Sequence, residues 1–291
     1  MYETILVPLD GSKAAEMVLP YVEEIAASLA NEIVLIGVSG SSTHDLHGSY
    51  LKGIAEEVQL RLKNYSPARD IEVRSEVLSG EPATQILDSV NKKNTSLIAM
   101  TSRGSSSQGP WLLGSIASKV LWATSKPVLL VRAPASKAAL QQKKLVRKIL
   151  VPLDGSRVGE TAIPWAETLA HTLGAELVLF QVVMTPQTLV FFEAYPTLIS
   201  LDPDKEIASA MAYLEGVEKS LRGKGLKTSR AVAFGAPADA IIDYAKENSV
   251  DLIAISTHGR SGIGRWVFGS VTDKVLHTGD TAVLVVRAAK T

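Results

Sequence analysis

Two aspartates, Asp10 and Asp154, each follow a short apolar segment and precede a glycine and a serine. A carboxylate at the end of a strand can accept a hydrogen bond from a ribose hydroxyl or from the amine of a base. The same Asp-Gly-Ser sequence is also a good helix start, because a serine oxygen satisfies an N–H group of the first turn. Taken singly, Ser12 and Ser156 are best explained as helix caps.

A glycine-rich segment near the end of the chain has the composition of a phosphate-binding loop. It runs from residue 256 to 270 with the sequence STHGRSGIGRWVFGS. Its glycines allow backbone amides to approach an anion, and Gly269-Ser270 opens a predicted helix whose first N–H groups attract phosphate. Arg260 and Arg265 can donate charge-assisted hydrogen bonds to phosphate oxygens. The alternative is an ordinary connection between a strand and a helix, and the loop alone does not decide between the two.

The first half of the chain carries a less complete version of this loop. Residues 103–110 read RGSSSQGP, without counterparts of Gly262 and Arg265, and Pro110 lacks a backbone donor. We therefore predict that the second half binds a nucleotide better than the first half.

The chain consists of two copies of one unit. Residues 5–12, with the sequence ILVPLDGS, recur unchanged as residues 149–156, which is 144 positions later. Later matches, such as WLLGS at 111–115 and WVFGS at 266–270, lie 155 positions apart. The second copy must therefore contain 11 additional residues between these two groups of matches.

The additional residues are predicted to form an insertion between Thr185 and Asp204. Its aromatic side chains, Phe191, Phe192 and Tyr195, are best explained by packing between the repeats. A lid or a partner-binding patch is the alternative.

Each copy alternates short apolar segments with longer segments of helical period, which builds βαβ units. In the first copy we predict strands at 4–9, 32–38, 71–77, 97–101 and 128–132, and helices at 14–29, 49–64, 82–93 and 115–123. The predicted fold class is α/β, with two tandem doubly wound domains, each a five-stranded parallel sheet with helices on both faces. The domains are placed at residues 1–133 and 148–291, with a linker at 134–147. Ligands of such sheets bind beyond the carboxyl ends of the strands, so each aspartate and its glycine-rich loop are expected to share a crevice.

The composition excludes several classes of function. Lys and Arg together number 30, as do Asp and Glu, so no net charge favours nucleic acid or an anionic membrane. There is no cysteine, and no apolar run approaches the roughly 20 residues of a membrane span. His44 and His47 lie in a predicted polar loop and are best explained as solvated, so no metal site is expected. The first residues lack the features of a signal peptide, which predicts a cytoplasmic protein.

These motifs together resemble those of the universal stress protein family. The resemblance rests on VPLDGS, on the Gly-x-Pro before the third helix, and on a loop of the form Gly-(two residues)-Gly-(nine residues)-Gly-Ser whose first glycine alone is replaced here, and it covers nearly all of both copies. It implies a fold of the adenine nucleotide alpha hydrolase type, and a stress-response protein that binds ATP, ADP or AMP, with or without Mg²⁺. The first-strand aspartate would hold the adenosine, the loop would surround the phosphates, and Val38 and Val182 would line the adenine pocket.

Carried onto this sequence, the resemblance implies two sets of binding residues. In the second copy they are Pro152, Asp154, Val182, Ile255, Ser256, His258, Gly259, Arg260, Gly269, Ser270, Val271 and Thr272. In the first copy they are Pro8, Asp10, Val38, Met100, Thr101, Arg103, Gly104, Gly114 and Ser115. Thr101 and Ser256 depart from the family pattern, which has glycine there, and this either narrows the pocket or adds a hydroxyl donor.

The resemblance also bears on assembly and on activity. The family pairs domains through the last strand, so the apolar segments at 127–131 and 281–286 are predicted to pair the two copies as an intrachain pseudo-dimer. A further homodimer is possible. No side chain is an evident base for activating water, so any ATP hydrolysis should be slow. The alternative function is an interaction module of the same fold that binds no nucleotide.

Overall fold

The computed structural model describes residues 1–39, 44–104, 113–132, 144–183, 202–259 and 268–288. The chain divides into two compact units, Met1–Val146 with Ala282–Val285, and Arg147–Thr281 with Val286–Thr291. The predicted insertion lies almost wholly outside the described residues, and so do its three aromatic side chains and most of the predicted linker.

The first unit is built on a parallel sheet with the strand order β3-β2-β1-β4-β5. Its strands are β1 (Thr4–Pro8), β2 (Glu32–Ser39), β3 (Glu72–Ser79), β4 (Leu97–Thr101) and β5 (Val128–Val131). Its helices are α1 (Leu19–Leu29), α2 (His44–Tyr65), α3 (Pro82–Lys92) and α4 (Ser115–Ala123), and a 3₁₀ turn (Ala15–Val18) precedes α1. The strand β10 (Ala282–Val286) pairs with β5 in antiparallel register, with Val283 opposite Leu130.

The second unit repeats this plan with the strand order β9-β6-β7-β8. Its strands are β6 (Lys148–Leu153), β7 (Glu176–Val183), β8 (Thr228–Phe234) and β9 (Leu252–Ser256). Its helices are α5 (Ile163–Leu173), α6 (Pro203–Arg222), α7 (Pro237–Glu247) and α8 (Ser270–Thr278), and a 3₁₀ turn (Gly159–Ala162) precedes α5. The predicted α/β class with mostly parallel strands is confirmed.

The central strands are apolar because both of their faces are covered. Ile5, Leu6 and Val7 in β1 have no exposed surface, and every residue of β5 is buried. Burial of this kind on both faces is characteristic of parallel sheets with helical crossovers. The strand order places the carboxyl ends of β1 and β4 side by side, and likewise those of β6 and β9. These two places are where strand order reverses and where a doubly wound sheet binds ligands.

Helix α2 begins at His44, five residues before the predicted start at residue 49. The prediction of a polar loop around Asp45 and His47 was therefore wrong. A stripe of buried apolar side chains at Leu51, Val58 and Leu62 holds the helix against the sheet, and this packing outweighs the low helix propensity of the glycines. Asp45 lies in the first turn, where a negative charge is favourable.

Candidate functional site

The Asp-Gly-Ser turn after the first strand has the same geometry in both units. Ser12 donates to Asp10 Oδ1 from its backbone N at 3.0 Å and from its hydroxyl at 2.6 Å. The Ser12 hydroxyl also accepts a bond from the Ala15 N–H at 3.1 Å. The corresponding distances around Ser156 are 3.0, 2.6 and 3.0 Å. The serines thus satisfy the start of the following turn, as the capping interpretation predicts, and they also orient the carboxylates.

Glycine is required between the aspartate and the serine of these turns. Gly11 has a φ of +82° and Gly155 a φ of +80°, a left-handed conformation that residues with a side chain rarely adopt. This conformation reverses the chain directly after the strand and leaves the aspartate at the carboxyl end of the sheet.

The loop after the fourth strand passes directly over the aspartate. A Cβ built on Gly104 would collide with the Asp10 carboxylate, and one built on Gly259 would collide with that of Asp154. In the second unit the loop returns to the sheet where Gly269 N donates to Thr257 O at 2.9 Å, immediately before α8. The matching bond of the first unit, from Gly114 N to Ser102 O, is 2.8 Å. Aspartate, loop and helix start therefore converge on one place.

A cavity of about 340 Å³ lies at this place in the first unit. All nine residues predicted for the first copy line it. Sequence reasoning missed the remaining lining residues, Leu9, Ala15, Ile36, Pro82, Ile86, Ser102, Leu113, Ile116 and Ala117.

The second unit has a cavity of about 310 Å³ at the equivalent place. Eleven of the twelve residues predicted for the second copy line it, and the twelfth, Arg260, lies outside the described residues. The lining residues that sequence reasoning missed are Leu153, Gly159, Phe180, Gln181, Pro237 and Ile241. The repeat itself held the signal for several of them, because Gly80-Glu81-Pro82 and Gly235-Ala236-Pro237 mark the helix that supplies Ile86 and Ile241.

Thr101 and Ser256, which replace a glycine of the family pattern, are both buried and bonded within the protein. The Thr101 hydroxyl donates to Arg103 O at 2.8 Å. The Ser256 hydroxyl accepts a bond from the Thr161 hydroxyl at 3.0 Å. The Thr101 hydroxyl therefore helps to fix the loop that follows its strand, and the Ser256 hydroxyl joins the end of its strand to the 3₁₀ turn before α5.

Two polar side chains of the second cavity, Gln181 and His258, each have a buried atom without a hydrogen-bond partner among the described residues. The Nδ1 of His258 is 2.9 Å from the Thr257 hydroxyl. Its Nε2 is buried and has no hydrogen-bond partner among the described residues. Arg103 occupies the corresponding position in the first cavity, so the two sites offer different donors there.

A tyrosine supports the turn beside each aspartate. Tyr50 OH donates to Glu16 at 3.1 Å, and Tyr213 OH donates to Glu160 at 2.8 Å. Burial raises the pKa of Tyr50, and the nearby Glu16 carboxylate raises it further. The tyrosine therefore stays protonated and keeps donating at any physiological pH.

The described part of the chain was searched for metal-ligand groups and for membrane-spanning helices. Within those residues, no group of three or more His, Asp and Glu side chains is placed to hold a metal ion. None of the described helices is long and apolar enough to cross a membrane.

Comparison with known proteins places both copies in one family. The model of the universal stress protein family matches residues 1–132 and again residues 146–287. A universal stress protein of Methanocaldococcus jannaschii is 32% identical over 149 residues, covering 51% of this chain and 86% of that protein. One of Synechocystis is 22% identical over 313 aligned positions, covering 98% of this chain and 100% of that protein.

A solved structure supports the fold over the full length. The crystal structure of a universal stress protein from Archaeoglobus fulgidus matches with a TM-score of 0.69 and 23% identity, covering 99% of this chain and 100% of that chain. The repeated match of the family model, together with these relatives, shows that the chain belongs to the universal stress protein family.

Proposed function

We propose that this protein binds an adenine nucleotide, ATP, and acts as a regulatory protein of the stress response. The observation that carries the proposal is the convergence of three features on one cavity. These are the carboxylate of Asp154, a loop that only glycine allows to pass over it at Gly259, and the start of helix α8 at Ser270. The first unit repeats the arrangement with Asp10, Gly104 and Ser115.

The chemistry of the second cavity suits the parts of a nucleotide. Its apolar wall of Phe180, Val182 and Ile241 would hold the base. The Asp154 carboxylate would accept from a ribose hydroxyl or from the amine of the base. The N–H groups at the start of α8 would face the phosphates, where the helix dipole favours negative charge. Volumes of about 310 and 340 Å³ lie at the lower end of the range for small-molecule sites.

The same features accept ADP and AMP. Mg²⁺ would enter with the phosphates of ATP and would supply positive charge beside them. We also propose that the second site binds more tightly, because its loop carries additional glycines and arginines at 260–265.

The proposal includes the organisation of the chain. We propose universal stress protein domains at 1–133 and 148–291, joined by a linker at 134–147, and a pairing of the two repeats through their last strands. The antiparallel register of Leu129 with Leu284 supports this pairing.

The proposal is tested on purified full-length protein. The protein is denatured, the released small molecules are identified by chromatography and ultraviolet absorbance, and ATP is then titrated into nucleotide-stripped protein. We expect saturable binding of ATP, with adenine nucleotide among the released molecules. Absence of released adenine nucleotide together with no binding at millimolar ATP would reject the proposal and favour an interaction module of the same fold.

A further inference from the structure

We propose that Thr257 fixes the tautomer of His258, so that the imidazole presents an Nε2–H donor to an anionic group of the ligand. The proposal rests on the proposed nucleotide function and adds a positioning residue behind the histidine. Thr257 itself would not touch the ligand.

The threonine is held rigidly at the end of β9. Its backbone N donates to Val286 O at 2.9 Å, and its backbone O accepts from Gly269 N at 2.9 Å. Its side chain is buried, and among the described residues its hydroxyl bonds to one group, Nδ1 of His258, at 2.9 Å. The role of the hydroxyl is therefore to bond to the imidazole ring of His258.

The balance of donors and acceptors selects one tautomer. A hydroxyl has one hydrogen and two lone pairs, and a neutral imidazole has one N–H and one acceptor nitrogen. If Nδ1 carried the proton, the Thr257 oxygen would accept it, and the buried hydroxyl hydrogen would have no acceptor among the described residues. If the hydroxyl donates to Nδ1, its hydrogen is satisfied and the imidazole proton lies on Nε2. The first arrangement leaves two buried groups unsatisfied, the hydroxyl hydrogen and Nε2, whereas the second leaves only the Nε2–H, so the second arrangement is favoured.

The protonated Nε2 then requires an acceptor that the described protein does not supply. Nε2 is buried without a partner there, and His258 lines the cavity together with Gly259 and Ser270. The helix start at Ser270 favours negative charge in the same cavity. A phosphate oxygen is the ligand atom that satisfies both features.

The first unit has no histidine at this position, so no tautomer has to be fixed there. Its loop has the same backbone frame, with Ser102 N donating to Val131 O at 2.8 Å. The side chain that follows is Arg103, whose guanidinium carries its donors at any pH near neutrality. Tautomer control is therefore expected at the second site alone.

The test uses variants of Thr257 in the full-length protein. Thr257→Val removes the hydroxyl and keeps the shape of the side chain, while Thr257→Ser restores a hydroxyl. Thr278→Val is the matched control, because the exposed Thr278 hydroxyl bonds to Lys274 O within helix α8. The imidazole nitrogens of His258 are observed by ¹⁵N NMR and assigned with a His258→Gln variant.

In nucleotide-free protein we expect the proton on Nε2 in the wild type, in Thr257→Ser and in Thr278→Val, and a mixture of tautomers in Thr257→Val. A wild-type proton on Nδ1 would overturn the proposal. This result does not depend on whether ATP binds, so it is separable from a failure of the proposed function.

The same ¹⁵N signals of His258 also report the binding of ATP at the second site during a titration. We expect Thr257→Val to weaken ATP binding about twofold, because a ligand that requires the Nε2–H tautomer binds with an affinity reduced by the fraction of protein that carries it. Thr257→Ser and Thr278→Val should bind like the wild type. Equal losses in Thr257→Val and Thr257→Ser would mean that the threonine acts through packing, which contradicts the proposal.

Discussion

Gly259 lies so close to the Asp154 carboxylate that a Cβ on the glycine would collide with it. Gly104 has the same relationship to Asp10 in the first unit. Each pair joins the turn after the first strand to the loop after the fourth strand, two elements about a hundred residues apart in the chain. The two sites thus share a close contact between the glycine of the loop and the carboxylate of the aspartate.

This relationship predicts that Gly259→Ala destabilises the protein. The added methyl group must displace the loop or the carboxylate, and overpacking of this kind costs about 1–3 kcal/mol. The measurement is the free energy of unfolding from denaturant titration.

Gly216→Ala is the matched control for that substitution. Gly216 lies inside helix α6, and a Cβ there meets no atom within 4 Å. Alanine should therefore stabilise the helix by about 0.5–1 kcal/mol. Equal effects of the two substitutions would show that the contact with Asp154 is not tight.

Asp154 is predicted to recognise the ribose of the nucleotide. Wild-type protein should bind ATP about tenfold more tightly than 2′,3′-dideoxy-ATP, because the analogue lacks the hydroxyl donors that would bond to the carboxylate. Asp154→Asn should bind the two ligands with similar affinity. If Asp154→Asn weakens both ligands by the same factor, the carboxylate contacts another part of the nucleotide.

Phe180 forms one wall of the second cavity, and Ile36 takes its place in the first. The Phe180 ring is fully buried and lies 4.5 Å from the Tyr244 ring between centroids. Phe180→Ile should lower the free energy of unfolding by about 2 kcal/mol through lost volume and the lost aromatic pair. The exposed Phe234 is the control, and Phe234→Ile should change stability by less than about 0.5 kcal/mol. Similar losses from both substitutions would contradict the packing described.

Glu81 caps helix α3 and should make stability depend on pH. The Thr84 N–H donates to its carboxylate at 2.7 Å, and Lys119 adds an ion pair, which together lower the pKa of Glu81 to about 2. A pKa below the unfolded value of about 4.3 means that the stabilisation is complete above that pH and is lost as the pH falls toward 2. The stability difference between wild type and Glu81→Gln should therefore be constant near neutrality and shrink below about pH 4.5.

Lys119→Met separates the two causes of that shift. It removes the ion pair and leaves the backbone bond from Thr84, which is the larger cause. Most of the pH dependence should remain in Lys119→Met. A profile as flat as that of Glu81→Gln would assign the effect to the ion pair instead.

Much of the site could be predicted from the sequence, because its parts follow directly from strand ends. The turn after β1 and the loop after β4 follow two adjacent strands, so Asp10 and Gly104 could be placed close together from the sequence alone. Phe180 could not, because it reaches the cavity through the packing of one face of its strand. Gly159 was missed for a related reason, since it lies in a 3₁₀ turn that resembles the start of a helix.

The insertion shows what a repeat offset cannot reveal. Tyr50 and Tyr213 make equivalent bonds to Glu16 and Glu160, and they lie 163 positions apart. The offset thus rises from 144 to 163 before this helix and falls to 155 after it. The second copy gains 19 residues and then loses 8, because α6 ends earlier than α2 and the connection from α6 to the next strand is also shorter. The sequence matches recorded only the net difference.

Calorimetric titration of ATP into stripped wild-type, Gly104→Ala and Gly259→Ala protein tests the central claim most directly. We predict that the wild type binds ATP, that Gly259→Ala loses the tighter binding, and that Gly104→Ala loses less. No heat of binding in the wild type, or three identical isotherms, would contradict the account of two unequal nucleotide sites built on these aspartate and glycine pairs.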